Sequence, residues 1–345
     1  GKTERLSELT VHFMDVGQGD AILIACGGEY MLIDAGDNSK GTAVQNYLTR
    51  QGVKTLKYVV GTHPDADHIG GMDVVLYKFN CETVMMPDVA SDTASYRDVL
   101  DTMKEKGYRN TLPKVGNTYT LGDARFVIAG PGKAYEDTNN HSIVIRMTHG
   151  ENSFLLTGDM EEDAEADILQ GRVSLQADVL KVGHHGSRSS SSEAFLEAVS
   201  PTYAVISCGE DNSYGHPHAQ TLNALRRMGV QVFRTDEQGT VTASSDGSKI
   251  TWNCAPSDTW KAGEGTQDQS TQNQSTQRID NPAPAQTPPV PDVPSTANYI
   301  GNRRNHKLHR STCHSLPAEK NQVPFQTKEE AAAAGYDDPC GNCKP

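Results

Sequence analysis

Residues 61–71 read "GTHPDADHIGG". An apolar run at 57–60 precedes them, and a helical pattern over 70–78 follows. The stretch is therefore a loop at a strand end. Four side chains of ligand type, His63, Asp65, Asp67 and His68, fall within six residues. Such a cluster can converge on one or two ions, although a solvated acidic loop with helix-capping aspartates would look the same in isolation. Three other strand ends decide between the two readings. Asp34 follows the strand in "YMLIDAG", Asp159 that in "FLLTGDM", and His184 and His185 that in "DVLKVGHHGS". A glycine beside each lets the backbone turn sharply or approach closely. Asp159 alone would pass for an N-cap, but capping explains the whole series poorly.

The surrounding pattern is α/β. Short β-type runs occur at 11–16, 21–25, 30–33, 58–60, 125–129, 142–147, 153–156, 179–182, 203–206 and 231–233. Helical stretches lie at 42–51, 70–78, 95–106, 161–169, 192–199 and 219–228. The first three strands follow one another at hairpin spacing, which predicts a mixed sheet. Residues 1–254 read as one domain. Residues 255–298, rich in Gln, Ser, Thr and Pro, cannot bury enough apolar surface to order themselves and read as a disordered linker. Residues 299–345 form a second, small module.

The chain has 345 residues, which suits about two domains. Hydrophobic residues make up 36%, low for a wholly globular chain and in keeping with a linker. The net charge is −13. Residues 299–345 carry seven basic and five acidic side chains, leaving −15 on the rest. A body of that charge is a poor non-specific nucleic-acid binder, unless its carboxylates hold divalent cations. Seven scattered or tail-clustered cysteines do not describe a disulfide scaffold. No apolar run reaches the ~18–20 residues of a membrane span. The first residue is Gly1, and the expectation is an extracellular or cell-surface protein whose signal peptide has been removed.

The order of these ligand-type strand ends resembles the metallo-β-lactamase superfamily over nearly all of residues 9–253. Within it the chain resembles the nuclease domain of the competence DNA-uptake channel, the ComEC family. The segments that carry this are "VHFMDVGQGDAILI", "THPDADHIGG", "NNHSIVIRM", "LLTGDM", "LKVGHHGSRSSSSEAFL", "ISCGEDNSYGHPH" and "TDEQGTV". The resemblance implies a four-layer αββα sandwich. It implies that His63 and Asp65 hold a first metal, that Asp67 and His68 hold a second, and that Asp159 bridges them. His184 would complete the second site, with His185 able to exchange roles. His141 or Asn140 would complete the first, and Asp34 would orient the loop from behind. His216 would protonate the leaving oxygen or stabilise its charge. Ser187 and Ser189 would hold a phosphate oxygen. The turn in "MDVGQGD" would lie near the site, bringing Asp15 or Gln18 behind the ligands. The superfamily's usual HxHxDH loop has a second histidine where this chain has Asp65. The added carboxylate hardens the site toward manganese, with zinc the other option, and argues against β-lactam hydrolysis.

In the tail, His309 and Cys313 form one pair, and Cys340 and Cys343 form a CxxC. The spacing is that of a structural zinc site, with His306 and His314 as alternative ligands and disulfide bonding as the competing reading. The module resembles the zinc-binding module of the Ada DNA-repair methyltransferase. His309 stands where that protein has its methyl-accepting cysteine, so methyl transfer is not expected. Arg303, Arg304, Lys307 and Arg310 offer a weak basic stripe for nucleic acid.

The expected function is a dinuclear phosphodiesterase acting on DNA in external processing or uptake. A phosphorylcholine esterase acting on cell-envelope teichoic acid, which the "HFMDVGQGD" segment and the same metal loop also resemble, would need an aromatic cage for choline. A non-catalytic surface-binding protein would show losses from the ligand set.

Overall fold

The computed structural model describes residues 6–265, 298–302, 307–313, 316, 322–334, 336 and 338–340. They fall into two compact units, one on each side of 266–297.

In the larger unit the strands are β1 (Leu9–Phe13), β2 (Ile22–Cys26), β3 (Glu29–Ile33), β4 (Thr55–Val60), β5 (Asn80–Met85), β6 (Thr118–Leu121), β7 (Ala124–Gly130), β8 (Val144–His149), β9 (Asn152–Leu156), β10 (Val179–Lys181), β11 (Tyr203–Ile206), β12 (Gln231–Arg234), β13 (Val241–Ser245) and β14 (Ile250–Trp252). The helices are α1 (Gly41–Arg50), α2 (Ala66–Ile69), α3 (Met72–Lys78), α4 (Ala94–Lys106), α5 (Glu162–Leu169), α6 (Glu193–Val199), α7 (Ala219–Arg227) and α8 (Thr235–Gln238). One sheet has the order β14-β13-β1-β2-β3-β4-β5, and the other β12-β11-β10-β9-β8-β7-β6.

Alternation along the strands explains the layers. Val11, Ile24, Met31, Phe126, Ile145, Phe154 and Val205 point between the sheets and are buried there. Their neighbours point outward. Leu23 and Leu32 meet Val44, Leu48, Val75 and Val99 of α1, α3 and α4. Leu155, Leu180 and Ala204 meet Ile168, Leu196 and Leu225 of α5, α6 and α7. A strand that is apolar on both faces needs cover on both, and the four-layer αββα sandwich supplies it.

Both sheets are mixed, as the hairpin spacing predicts. In the first, β1, β2 and β3 pair antiparallel, and β3, β4 and β5 pair parallel. In the second, β6 to β9 pair antiparallel and β9 to β12 pair parallel. Asp34, the 63–68 loop, Asp159, the paired histidines and the His216 loop follow β3, β4, β9, β10 and β11 respectively. Each is the carboxyl end of a strand in a parallel pairing, where open α/β sheets gather their ligands.

Two contacts organise that edge, the first within one sheet's loops and the second across the two sheets. Gly19 has φ +138°, and a Cβ there would lie 2.3 Å from the Asp67 carbonyl oxygen, so the β1–β2 turn rests directly on the metal-type loop. Asp20, next in that turn, meets Lys181 of β10 at 2.8 Å, and both side chains are buried. Lys181 also donates to the Val182 carbonyl at 2.9 Å. Burial alone would raise the Asp20 pKa, but Lys181 and His185 hold it below the ordinary carboxylate value.

The segment after β14 differs from expectation. Residues 255–265, assigned from sequence to the linker, pack on the sandwich. Ser257 donates to the Val232 carbonyl at 2.7 Å, Trp260 packs against the α5–α7 core, and Gly263 donates to the Pro217 carbonyl at 3.0 Å. Trp260 supplies the apolar surface that composition counting overlooked. Most of the remaining linker, 266–297, lies outside the described residues.

The smaller unit has a sheet of order β17-β15-β16-β18 from β15 (Tyr299–Asn302), β16 (Lys307–Arg310), β17 (Gln322–Phe325) and β18 (Asp338–Pro339), with α9 (Lys328–Ala333). Among the described residues its buried cluster is Leu308, Phe325, Ala331 and Tyr336, with Tyr299 and Val323 packed against it, a small core for a module of this size. No helix among the described residues is long and apolar enough to cross a membrane.

The Asp20–Lys181 pair generates a stability prediction. Lys181→Met should cost about 3–5 kcal/mol, because it strands a buried carboxylate. Adding Asp20→Asn should recover most of that loss. Chemical unfolding followed by circular dichroism measures both; an undiminished stability in Lys181→Met would show that the pair does not tie the sheets together.

Candidate metal centre

Asp34 organises the loop. It sits just past β3 with φ 57°, and its side chain is fully buried. Oδ1 accepts from the Thr62 backbone N–H at 2.8 Å. Oδ2 accepts from the Thr62 hydroxyl at 2.7 Å and from His68 Nδ1 at 2.8 Å. The Thr62 proton is thereby committed to Asp34, so its oxygen accepts from His63 Nδ1 at 3.1 Å. Both rings carry their proton on Nδ1, which leaves each Nε2 as the free ligand atom. The sequence also keeps this loop tight. A Cβ on Gly70 would lie 2.3 Å from the Asn38 backbone nitrogen, so only glycine lets α2 close against the loop after β3.

The histidine pair after β10 is oriented by the same logic. His184 and His185 have φ 46° and 55°, a left-handed turn that costs strain and persists only where surroundings enforce it. His185 Nδ1 donates to the Ser207 carbonyl at 2.9 Å. His184 Nδ1 faces Glu161 Oε1 at 2.9 Å, and the Ser189 hydroxyl donates to the same oxygen at 2.7 Å.

The free ring nitrogens meet the carboxylates. His68 Nε2 and His185 Nε2 each lie 3.2 Å from Asp159 Oδ2, and 3.3 Å from one another. Asp67 Oδ2 is 3.3 Å from His185 Nε2. Asp67, His68, Asp159 and His185 thus present one ligand atom each within 4.8 Å. On the other side, His63 Nε2 lies 3.7 Å from Asp65 Oδ2 and 4.0 Å from Asp159 Oδ2, and His184 Nε2 lies 3.7 Å from Asp159. Asp159 faces both groups, which makes this a dinuclear-type His/Asp site.

The donor set fits divalent cations. His63 Nε2 and Asp159 Oδ1 are buried and have no hydrogen-bond partner, a costly state for polar atoms that a cation would relieve. Burial, then the charge on His68, pushes the His63 pKa down to about 4, leaving a neutral ring. Burial opposes charge on His68 and His185 as well, but Asp159 and its neighbours outweigh it and hold both well above the ordinary value. The carboxylates thus draw positive charge to the position that an ion would take.

Several expected roles change. His185, not His184, joins Asp67 and His68. His184 lies beside Asp159 with Glu161 behind it. His141 does not complete the first group, because its own loop engages both ring nitrogens: Nδ1 meets the Asp137 carbonyl at 2.8 Å and Nε2 accepts from Tyr135 N–H at 3.2 Å. Asn140 caps α5 instead, accepting from the backbone of Glu161 and Ala164. Ser187 and Ser189 hydrogen-bond to one another at 2.9 Å, and neither lines the cavity. Ser189 donates to Glu161, and Ser187 holds Ser189. Asp15 accepts from Gly17 N–H within its own turn.

The cavity over the site measures about 150 Å³, and Gln18, Asn139, Tyr214 and His216 share its wall with the ligand-type residues. Gln18 Oε1 accepts from Gly209 N–H at 3.1 Å, which directs its Nε2 donor at His216 Nδ1, 3.2 Å away. Burial, then His185 and His184, lowers the His216 pKa to about 3. The ring is therefore neutral, with Nδ1 accepting and Nε2 bearing the proton. Sequence reasoning missed Glu161, Lys181 and Ser142, whose hydroxyl lies 3.3 Å from His63 Nδ1 and accepts from Asp159 N–H. Lys181 had a visible signal: it interrupts an apolar strand directly before the histidine pair.

In the smaller unit, His309, Cys313 and Cys340 present ligand atoms within 4.8 Å. The sulfurs are 4.0 Å apart, far beyond a disulfide bond of about 2.05 Å and near the ~3.8 Å edge of a tetrahedron with 2.3 Å zinc–sulfur bonds. Both His309 ring nitrogens are buried without a hydrogen-bond partner. Cys343, the expected fourth ligand, and His306, His314, Arg303 and Arg304 lie outside the described residues. Lys307 and Arg310 are exposed on β16.

Comparison with known proteins agrees with this geometry. ComE operon protein 3 of Bacillus subtilis is 33% identical over 254 residues, covering 68% of this chain and 33% of that protein. Recombination protein 2 of Haemophilus influenzae is 33% identical over 237 residues, covering 67% and 28%. Competence protein ComA of Neisseria gonorrhoeae is 31% identical over 239 residues, covering 68% and 32%. The chain spans about a third of the length of these relatives. Residues 14–210 match the family described as the Metallo-beta-lactamase superfamily. That match takes in every loop that carries a ligand-type residue of the dinuclear site, and the chain belongs to the metallo-β-lactamase superfamily.

Proposed function

We propose that this chain, by family a metal-dependent hydrolase, cleaves phosphodiester bonds in DNA outside the cell or at its surface. The observation that carries the reading is Asp159, which faces two donor groups at the floor of one open cavity. His63 and Asp65 would hold one divalent ion and Asp67, His68 and His185 a second, with Asp159 facing both groups; such ions would supply water activation near neutral pH and charge neutralisation at a phosphate. Three carboxylates among the donors favour manganese over zinc.

The chain's own residues complete the chemistry. His216 faces the cavity as a neutral ring, and its Nε2–H donates a hydrogen bond to charge that develops on the leaving oxygen. Gln18 holds that tautomer. His184, fixed by Glu161, lines the same wall. In the tail, His309, Cys313 and Cys340, with Cys343 as the fourth ligand expected from sequence, would hold a structural zinc, and the basic residues of the module would raise the local concentration of substrate.

Relatives named for competence and recombination support DNA as the polymer. The choline esterase reading needs several aromatic faces around a quaternary ammonium group, yet Tyr214 is the single Tyr, Phe or Trp lining the cavity among the described residues. The non-catalytic reading is disfavoured by an intact set of ligand-type residues, whose buried, unpartnered His63 Nε2 and Asp159 Oδ1 a cation would satisfy.

Asp67→Ala and Asp159→Ala should each lower turnover of a small chromogenic phosphodiester by on the order of a thousandfold while circular dichroism stays native. Substantial activity in either folded variant would sink the two-ion mechanism. Asp34→Asn should weaken metal binding by roughly 10–100-fold, read by titration calorimetry, because His63 and His68 lose their fixed tautomers. Cys340→Ser should remove one equivalent of zinc by elemental analysis and unfold the small module, yet leave small-substrate turnover intact. Parallel loss of that turnover would contradict the division of labour.

A further inference from the structure

We propose that Tyr214 is a nucleobase-stacking platform at the mouth of the cavity, gripping the strand by a base beside the phosphate to be cleaved. The inference rests on the phosphodiesterase reading above. Tyr214 shares the cavity wall with Asp67 and Asp159, yet it is 65% exposed. Its ring lies nearly parallel to that of His216, with centroids 5.5 Å apart and an interplanar angle of 15°. His216 is itself wedged edge-on against His218 at 4.9 Å and His184 at 5.4 Å. One face of the tyrosine is therefore backed by a fixed ring, and the exposure belongs to the rest of it.

The loop that presents this ring is also fixed. Asn212 is buried and bridges the loop ends: its amide donates to the carbonyls of Gly209 and His216 at 2.9 and 2.7 Å, and its oxygen accepts from His216 N–H at 3.0 Å. A planar apolar face held in place loses little entropy when a second plane stacks on it. Two ring-to-ring steps, 5.5 and 5.4 Å, lead from Tyr214 through His216 to His184 beside Asp159. A choline group would need further aromatic faces, whereas a base needs one. Stacking on one aromatic side chain contributes about 1–3 kcal/mol and accepts any base, so the platform would grip single strands without reading their sequence.

The test uses the full-length, metal-loaded protein and two oligonucleotides of equal length, one with bases and one abasic. Wild type should prefer the base-bearing strand in kcat/KM, mainly through KM. Tyr214→Ala should reduce that preference by on the order of tenfold, and Tyr214→Phe and Tyr214→Trp should retain it. As a readout independent of turnover, an oligonucleotide carrying a fluorescent purine analogue is titrated with calcium as the only divalent ion. Wild type, Tyr214→Phe and Tyr214→Trp should quench it, and Tyr214→Ala should not. Quenching by a wild-type protein that cleaves neither strand would defeat the phosphodiesterase reading and leave the platform standing. Equal cleavage of both strands by wild type, or undiminished preference and quenching in Tyr214→Ala, would overturn the platform.

Discussion

The site depends on one buried carboxylate. Asp34 accepts three hydrogen bonds, two from Thr62 and one from His68, and through the Thr62 hydroxyl it also fixes His63. A carboxylate has no proton to give, so every partner must donate. That one-way traffic decides which nitrogen of each ring remains free. Without it, the imidazoles could flip tautomer and present N–H groups to the space that a cation must occupy. Ser207 and Glu161 repeat the device for His185 and His184, with a carbonyl and a second carboxylate as acceptors.

The electrostatic consequence is a cluster that is unbalanced on its own. Asp65, Asp67 and Asp159 face inward, while His63 is held neutral by burial. Repulsion among the carboxylates is met by raised affinity for protons on His68 and His185. Divalent ions would meet the same demand with twice the charge per particle. Lys181 is buried close by but already paired with Asp20, so it balances the floor of the site without competing for the ion positions. The strained turn at His184 and His185 is stabilised from several sides, since Glu161 engages the first ring, Ser207 the second, and Asp159 faces both.

The small module solves a different problem by related means. Among the described residues the module's apolar cluster is small for a sheet and a helix, and a His/Cys/Cys group lies beside β16. The large unit has three extensive apolar clusters. The ligand chemistries of the two groups differ: hard carboxylates with imidazoles in the first, thiols with an imidazole in the second.

The sequence by itself determined the alternation of strands and helices, the mixed sheets and the clustering of ligand-type residues at strand ends. Those features are local. The continuous apolar run in "AILIAC", the 63–68 loop after an apolar run, and the aspartates after "MLI" and "LLTG" are each set by a few adjacent residues. Tertiary structure decided everything that turned on direction. Adjacent His184 and His185 have the same chemistry, and only a left-handed turn sends one toward Asp67 and the other toward Glu161. His141 and Asn140 looked like ligands because of their type, but a neighbouring loop and the start of α5 had unsatisfied hydrogen-bonding groups that claimed them first. Lys181, Glu161 and Tyr214 take their roles from partners 23 to 161 residues away in places as far apart as the β1–β2 turn and the His184 loop, or from exposure at a cavity rim. Residue type and spacing fix what a side chain can do, whereas its direction is fixed by contacts between segments distant in sequence, which no local pattern records.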